Sequence, residues 1–137
     1  MVQVLVVEDE ALSAMMIEDA LNDAGHTVRG PASTTSGALM LAELSPPDLA
    51  LINLHLDGRN GRGIELAREL RKRWGTPSLF VSEQVTQAMS CRDAAMGVVG
   101  KPYDSETIVA CVEIAALVKQ GKEVPCGLIP KRFALFR

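Results

Sequence analysis

Four apolar runs in this chain each end at a residue able to do chemistry. Glu8 and Asp9 follow residues 2–7, Asn53 closes residues 48–52, Ser82 follows residues 78–81, and Lys101 follows residues 97–100. Adjacent carboxylates repel each other, and burying them bare is costly. A hard divalent cation relieves both, and a site with few oxygen ligands completed by water suits magnesium. A lysine ammonium is a point charge that can hold an anion such as phosphate opposite the metal, and a hydroxyl can donate a hydrogen bond to the same anion. An aspartate at position 53 would attack a phosphoryl group and form an acyl phosphate. Cation and ammonium would then neutralise the charge spread over the transferred oxygens. Asn53 keeps the shape of that aspartate but carries no charge and is a poor nucleophile.

These residues meet only if the elements between them bring them together. Residues 2–7 are a short β-branched run, read as a buried strand. Residues 11–24 carry Leu12, Met15, Met16, Ile17, Ala20 and Leu21 at helical spacing, with Gly25 as the stop. Residues 26–30 form a second strand ended by Pro31, and the Ser33-Thr34-Thr35 segment caps a helix running through Leu44. Ser45-Pro46-Pro47 breaks the chain before the third strand, residues 48–54. A glycine-rich loop over residues 57–63 leads to a helix ending near Trp74. Residues 78–81 and 97–100 are the fourth and fifth strands, with a short helix predicted over residues 85–94. Residues 104–119 form the last helix, capped by Asp104 or Ser105. Strands alternating with helices imply right-handed βαβ units and a parallel sheet. In such sheets ligands bind beyond the carboxyl ends of the strands, where Glu8, Asp9, Asn53, Ser82 and Lys101 fall.

The bulk numbers fit one domain. The chain has 137 residues, 47% of them hydrophobic, and a net charge of −3, so no global basic field attracts nucleic acid. No apolar run reaches the roughly 20 residues that span a bilayer, and the N-terminal run lacks the basic leader of a signal peptide. Cys91, Cys111 and Cys126 have no metal-binding spacing and read as reduced thiols of a cytoplasmic protein.

The words Val6-Val7-Glu8-Asp9-Glu10, Pro47-Asp48-Leu49-Ala50-Leu51-Ile52-Asn53-Leu54-His55-Leu56, Pro77-Ser78-Leu79-Phe80-Val81-Ser82 and Gly100-Lys101-Pro102-Tyr103 stand in order at strand ends. Together they resemble the response-regulator receiver family of two-component signalling over residues 1–120. The resemblance implies a doubly wound, five-stranded parallel sheet of order 2-1-3-4-5 in a three-layer αβα fold. It also implies Mg2+ held directly by Asp9, through water by Glu8, by Asn53 and by the backbone carbonyl of His55. Ser82 would be the switch hydroxyl, Lys101 the phosphate-binding lysine, and the Lys101–Pro102 bond cis. The expected function is a stand-alone receiver, not an enzyme, that takes a phosphoryl group at position 53 when aspartate stands there. The donor would be a histidine kinase or phosphotransfer protein docking on the first helix. Output would pass to a protein partner through the fourth helix, fifth strand and fifth helix, and homodimerisation is compatible with this reading.

Three departures bear on it. Asn53, natural or introduced, blocks phosphoryl transfer, and a natural asparagine would make the chain a phosphorylation-independent pseudo-receiver; Asp57 is the nearest substitute carboxylate. Glu83 replaces the small residue usual after the switch hydroxyl. Val98 replaces the aromatic whose rotamer reports phosphorylation in many receivers, and residues 83–97 are short for the family. A nucleotide-dependent oxidoreductase or flavin protein on a similar sheet is excluded by the turn after the first strand. Val-Glu-Asp-Glu-Ala stands there in place of Gly-x-Gly-x-x-Gly and repels a pyrophosphate.

Other residues have ordinary readings. Met15, Met16, Met40, Met89 and Met96 are expected as core filler, His26 as a strand-edge residue and not a ligand, and the basic residues around Arg68–Arg73 as a solvated face. The tail, residues 121–137, mixes breakers with Phe133, Leu135 and Phe136. It is expected to pack on the domain or a partner, which keeps these apolar side chains from water, or else to be a disordered end.

Overall fold

The computed structural model describes residues 2–56, 62–83, 92–124 and 126–136, the side chain of Cys126 excepted. The strands are β1 (Gln3–Val7), β2 (Thr27–Ala32), β3 (Leu49–Asn53), β4 (Ser78–Ser82), β5 (Gly97–Gly100) and β6 (Phe133–Leu135). The helices are α1 (Ala11–Asp23), α2 (Thr35–Leu44), α3 (Arg62–Trp74) and α4 (Ser105–Lys119). Every residue of β3, β4 and β5 is buried, as apolar runs covered on both faces must be.

Side chains alternate across the sheet with period two, and the core divides accordingly. Leu5, Val7, Ala50, Ile52, Phe80 and Val98 face α2 and α3, whereas Val4, Val6, Leu49, Leu51, Leu79, Val81 and Val99 face α1 and α4. The result is three layers. Two caps predicted from sequence are formed: Thr34 accepts from the Gly37 amide at 3.0 Å, and Asp104 from the Thr107 amide at 2.8 Å.

Strand order is β2-β1-β3-β4-β5-β6, parallel from β2 to β5. The order 2-1-3-4-5 is the expected one, but the sheet has a sixth strand, antiparallel to β5 and drawn from the tail. The second strand also runs past Pro31 to Ala32, with a register shift opposite Leu5 and Val7. An edge strand tolerates proline because no ladder partner needs its missing N–H.

The predicted helix over residues 85–94 lies mostly on residues 84–91, outside the described set, as do Asp57, Met89 and Cys91. Within the described part, Arg92–Ala94 form a turn and not a helix. Two methionines expected in the core are on the surface: Met15 is 56% and Met40 68% exposed. Leu12 and Leu44 are exposed beside them, so the apolar stripes of α1 and α2 are wider than the sheet covers. His26 is buried: its Nδ1 accepts from the Val2 amide, and its Nε2 lies 3.2 Å from Glu113. Among the described residues no helix is long and apolar enough to cross a membrane.

The first turn of α3 rests on the tip of β3. A Cβ on Gly63 would stand 2.8 Å from the Asn53 carbonyl oxygen and 3.0 Å from the Leu54 backbone. Gly63→Ala should therefore destabilise the protein by about 1–3 kcal/mol in urea unfolding, despite the gain of about 1 kcal/mol in helix propensity. A stabilised variant would show that the helix does not bear on the strand.

Candidate functional site

Parallel pairing sets the strand tips level. Val7 lies opposite Ile52, Asn53 opposite Val81, and Ser82 opposite Gly100. The residues after these pairs emerge along one edge, the ligand-binding edge of an open α/β sheet. The Glu8 amide donates to the Ala32 carbonyl at 2.9 Å, and the Lys101 amide to the Ser82 carbonyl at 2.9 Å. Glu8 and Lys101 are thus each tied to a neighbouring strand.

Glu8 is 4% exposed, and its Oε1 has no hydrogen-bond partner among the described residues. Burial raises its pKa; the Lys101 ammonium opposes that shift, Asp9 and Glu10 add to it, and the Asn53 amide lowers it. Asn53, also buried, spans the pocket. Its Nδ2 donates to Asp9 Oδ1 at 3.3 Å, and its Oδ1 accepts from the His55 amide at 3.2 Å. Reversing the amide would set donor against donor and acceptor against acceptor, so the two contacts fix its orientation. Ser82 is fully buried at the end of β4.

Glu10, Met16, Glu83, Lys101 and Tyr103 line a cleft of about 510 Å³ beside these tips. Tyr103 and Glu10 are additions to the residues singled out from sequence. Burial first, then Glu8 and Glu10, push the Tyr103 phenol up to about 12, so it stays a neutral donor. Its signal was its place directly after Lys101-Pro102, whose peptide bond is cis. Glu83 is exposed at the rim, on the same cleft as Lys101.

The donor set fits a magnesium ion bound through one or two carboxylates with water completing the shell. Glu8 offers a buried carboxylate oxygen lacking a partner, and Asp9 adds a second carboxylate near enough to raise the Glu8 pKa. No cluster of three or more His, Cys, Asp or Glu side chains forms a ready-made chelate among the described residues. Asn53 presents its N–H to Asp9 and would have to turn to offer oxygen to a cation.

A family model described as the response regulator receiver domain matches residues 4–113. The transcriptional regulatory protein PdtaR of Mycobacterium tuberculosis is 31% identical over 116 residues, covering 82% of this chain and 56% of that protein. The phyllosphere-induced regulator PhyR of Methylorubrum extorquens is 28% identical over 122 residues, covering 87% of this chain and 45% of that one. The chain thus spans about half the length of these relatives. The crystal structure of the receiver domain of NtrX from Brucella abortus superposes with a TM-score of 0.76 at 26% identity, covering 82% of this chain and 97% of that one.

The raised pKa of Glu8 has a defined sign. The folded protein keeps the proton to higher pH than the unfolded chain, so this stabilisation is complete below the ordinary value of 4.5 and is lost as pH rises through the raised one. In metal-free buffer at neutral pH, Glu8→Gln should therefore be more stable than the parent by on the order of 1 kcal/mol. The difference should close as pH falls below 4.5. Equal stability at neutral pH in chemical unfolding would mean that Glu8 is not strained.

Proposed function

The chain belongs to the response regulator receiver domain family, and from that premise we propose that it is a phosphorelay receiver module signalling through protein–protein contacts. Position 53 is its phosphoacceptor position. The observation that carries this reading is the buried Glu8 carboxylate beside Asp9, whose Oε1 has no hydrogen-bond partner among the described residues, with Lys101 near enough to act on its charge. Such a pocket is short of positive charge and long on oxygen ligands. Glu8, Asp9, position 53 and the backbone carbonyl of His55 would hold Mg2+, which would supply charge neutralisation to the incoming phosphoryl group. Lys101 would bind the phosphoryl oxygens from the opposite side, and Ser82 would donate a hydrogen bond to them.

A histidine kinase or a phosphotransfer protein would supply the group. The α1 face that exposes Leu12 and Met15 is apolar and lies next to the cleft, which suits packing against donor helices.

A second reading is favoured by one contact. The Asn53 amide joins Asp9 to the His55 amide and so supplies internally part of the positive charge that a cation would bring. In the chain as it stands, position 53 cannot form an acyl phosphate. This supports a pseudo-receiver, with its conformation held by this bridge and its partners bound without phosphorylation.

Radiolabelling with a small acyl-phosphate donor and Mg2+ separates the two. The parent should take up no label at position 53, and Asn53→Asp should become labelled. Adding Lys101→Ala should slow labelling by roughly a hundredfold, the usual loss on removing a group that stabilises transferring charge. An inert Asn53→Asp protein would leave the pseudo-receiver reading in place.

A further inference from the structure

We propose that the C-terminal strand β6 is a working part of the site: it holds the main chain of Lys101 from the side opposite β4, and Arg132 is the positioning residue. This inference rests on the receiver reading of Lys101 as the anion-binding group.

β5 is weak by composition. It has four residues, and both ends are glycine. As a bare sheet edge it would carry Lys101 on a strand with little side-chain packing to fix it. The tail supplies what is missing. Gly97, Val98 and Val99 pair with Leu135, Ala134 and Phe133. Two further bonds bracket the ladder: the Phe136 amide donates to the Met96 carbonyl at 2.7 Å, and the Gly100 amide to the Arg132 carbonyl at 2.8 Å.

The second of these bonds fixes the residue immediately before Lys101. Lys101 itself is then gripped from both neighbouring strands. Its amide donates to Ser82 on β4, and its carbonyl accepts from Arg132 Nη1 at 3.5 Å. The guanidinium contact is long, so the main-chain bond carries most of the hold, and Arg132 adds a charged donor to it. Among the described residues the Lys101 ammonium itself makes no ion pair within 4.0 Å, so its aim depends on the backbone beneath it.

The join is built into the sequence on both sides. A Cβ on Gly97 would stand 2.6 Å from the Ala134 carbonyl oxygen and 2.7 Å from the Phe133 ring. Only glycine lets the tail approach this closely. Phe133 is 5% exposed and packs into the core on the α1–α4 side, whereas Ala134 and Phe136 pack on the opposite face. Arg92 sits over the Phe136 ring, 5.8 Å from its centroid. The strand is thus anchored through both faces of the sheet.

A clip that only adds stability would affect every property of the pocket alike. A strand that positions Lys101 affects the anion side and spares the cation side, where Glu8 and Asp9 follow β1 and position 53 ends β3. The experiment uses the full chain carrying Asn53→Asp. Calorimetry measures Mg2+ alone, then beryllofluoride, a phosphoryl mimic, at saturating Mg2+. Arg132→Ala should weaken beryllofluoride binding about three- to tenfold, with Mg2+ affinity unchanged within twofold. Arg132→Lys should recover part of the loss, because its ammonium can still donate to the Lys101 carbonyl.

Phe133→Ala and Gly97→Ala dislodge the strand from opposite sides and should give the same selective loss, larger than that of Arg132→Ala. Circular dichroism identifies any variant that fails to fold. Arg132 is exposed and its truncation leaves the ladder intact, so that variant decides if the other two unfold. Unchanged beryllofluoride affinity in Arg132→Ala, or anion and cation affinities falling together, overturns the proposal. An Asn53→Asp parent that binds Mg2+ but no beryllofluoride overturns the receiver reading itself, and this inference with it.

Discussion

The site is governed by one unfavourable interaction: a desolvated carboxylate, Glu8, held next to a second one, Asp9, at the tip of β1. Stripping an ionised carboxylate of water costs several kcal/mol even after relaxation. A single ammonium at Lys101 offsets part of this, and burial still outweighs it in raising the Glu8 pKa. The remaining imbalance gives the pocket its chemistry, because it favours whatever brings positive charge: a proton, a hard cation or the N–H of an amide. Asn53 supplies the last of these, donating to Asp9 while its own oxygen is satisfied by the His55 amide. An aspartate at the same place would replace that donor by a third acceptor and make a cation much more strongly required. Asn53 therefore lowers the pocket's demand for added positive charge.

Such strain survives only where the backbone cannot relax it. β1, β3, β4 and β5 are packed on both faces, and their pairing leaves no freedom of register without moving whole rows of Val, Leu and Ile to the wrong layer. The Ala32 carbonyl ties down the Glu8 amide, the Ser82 carbonyl ties down the Lys101 amide, and the first turn of α3 lies against the Asn53 carbonyl. The core thus directs its order to one edge, where the tips of β1, β3, β4 and β5 carry Glu8, Asp9, Asn53, Ser82 and Lys101.

Much of this was legible in the sequence because the signals were local and redundant. Apolar runs of strand length ended at acids, Asn53, Ser82 or Lys101, and Thr34 and Asp104 marked helix starts. Strand order and the assignment of roles came from the family resemblance, since periodicity alone does not order parallel strands. What escaped depended on contacts between distant segments. Phe133-Ala134-Leu135 is too short to announce a strand, and its partner lies more than thirty residues away. Gly97, a glycine at a strand start, was the available sign that another backbone comes close. Pro31 argued for a strand end because the sequence does not tell an edge strand from a central one. The stripes on α1 and α2 show apolar spacing without showing whether anything covers it, so spacing alone puts Met15 and Met40 inside although both are exposed. The direction of the Asn53 amide is a property of the assembled pocket alone.

The absence of an aromatic at position 98 sharpens the question of how a ligand at this edge could be felt elsewhere. Val98 is fully buried in the middle of β5 and has no large rotamer swing available. Contiguous packing is not by itself a route for coupling; what is needed is an element with two arrangements whose balance the site can bias. Among the described elements near the pocket, β1, β3 and β4 are ruled out because they are packed on both faces and paired on both edges. α1 and α4 are each anchored by several buried residues. β6, like β2 at the other end of the sheet, has one paired edge; it has three residues and follows a connection from α4 that contains Gly121 and Gly127. It bonds to the residue before Lys101 at one end and reaches Phe136 and Arg92 at the other. It is thus a short edge element that links the strand end at Lys101 to the Phe136–Arg92 contact.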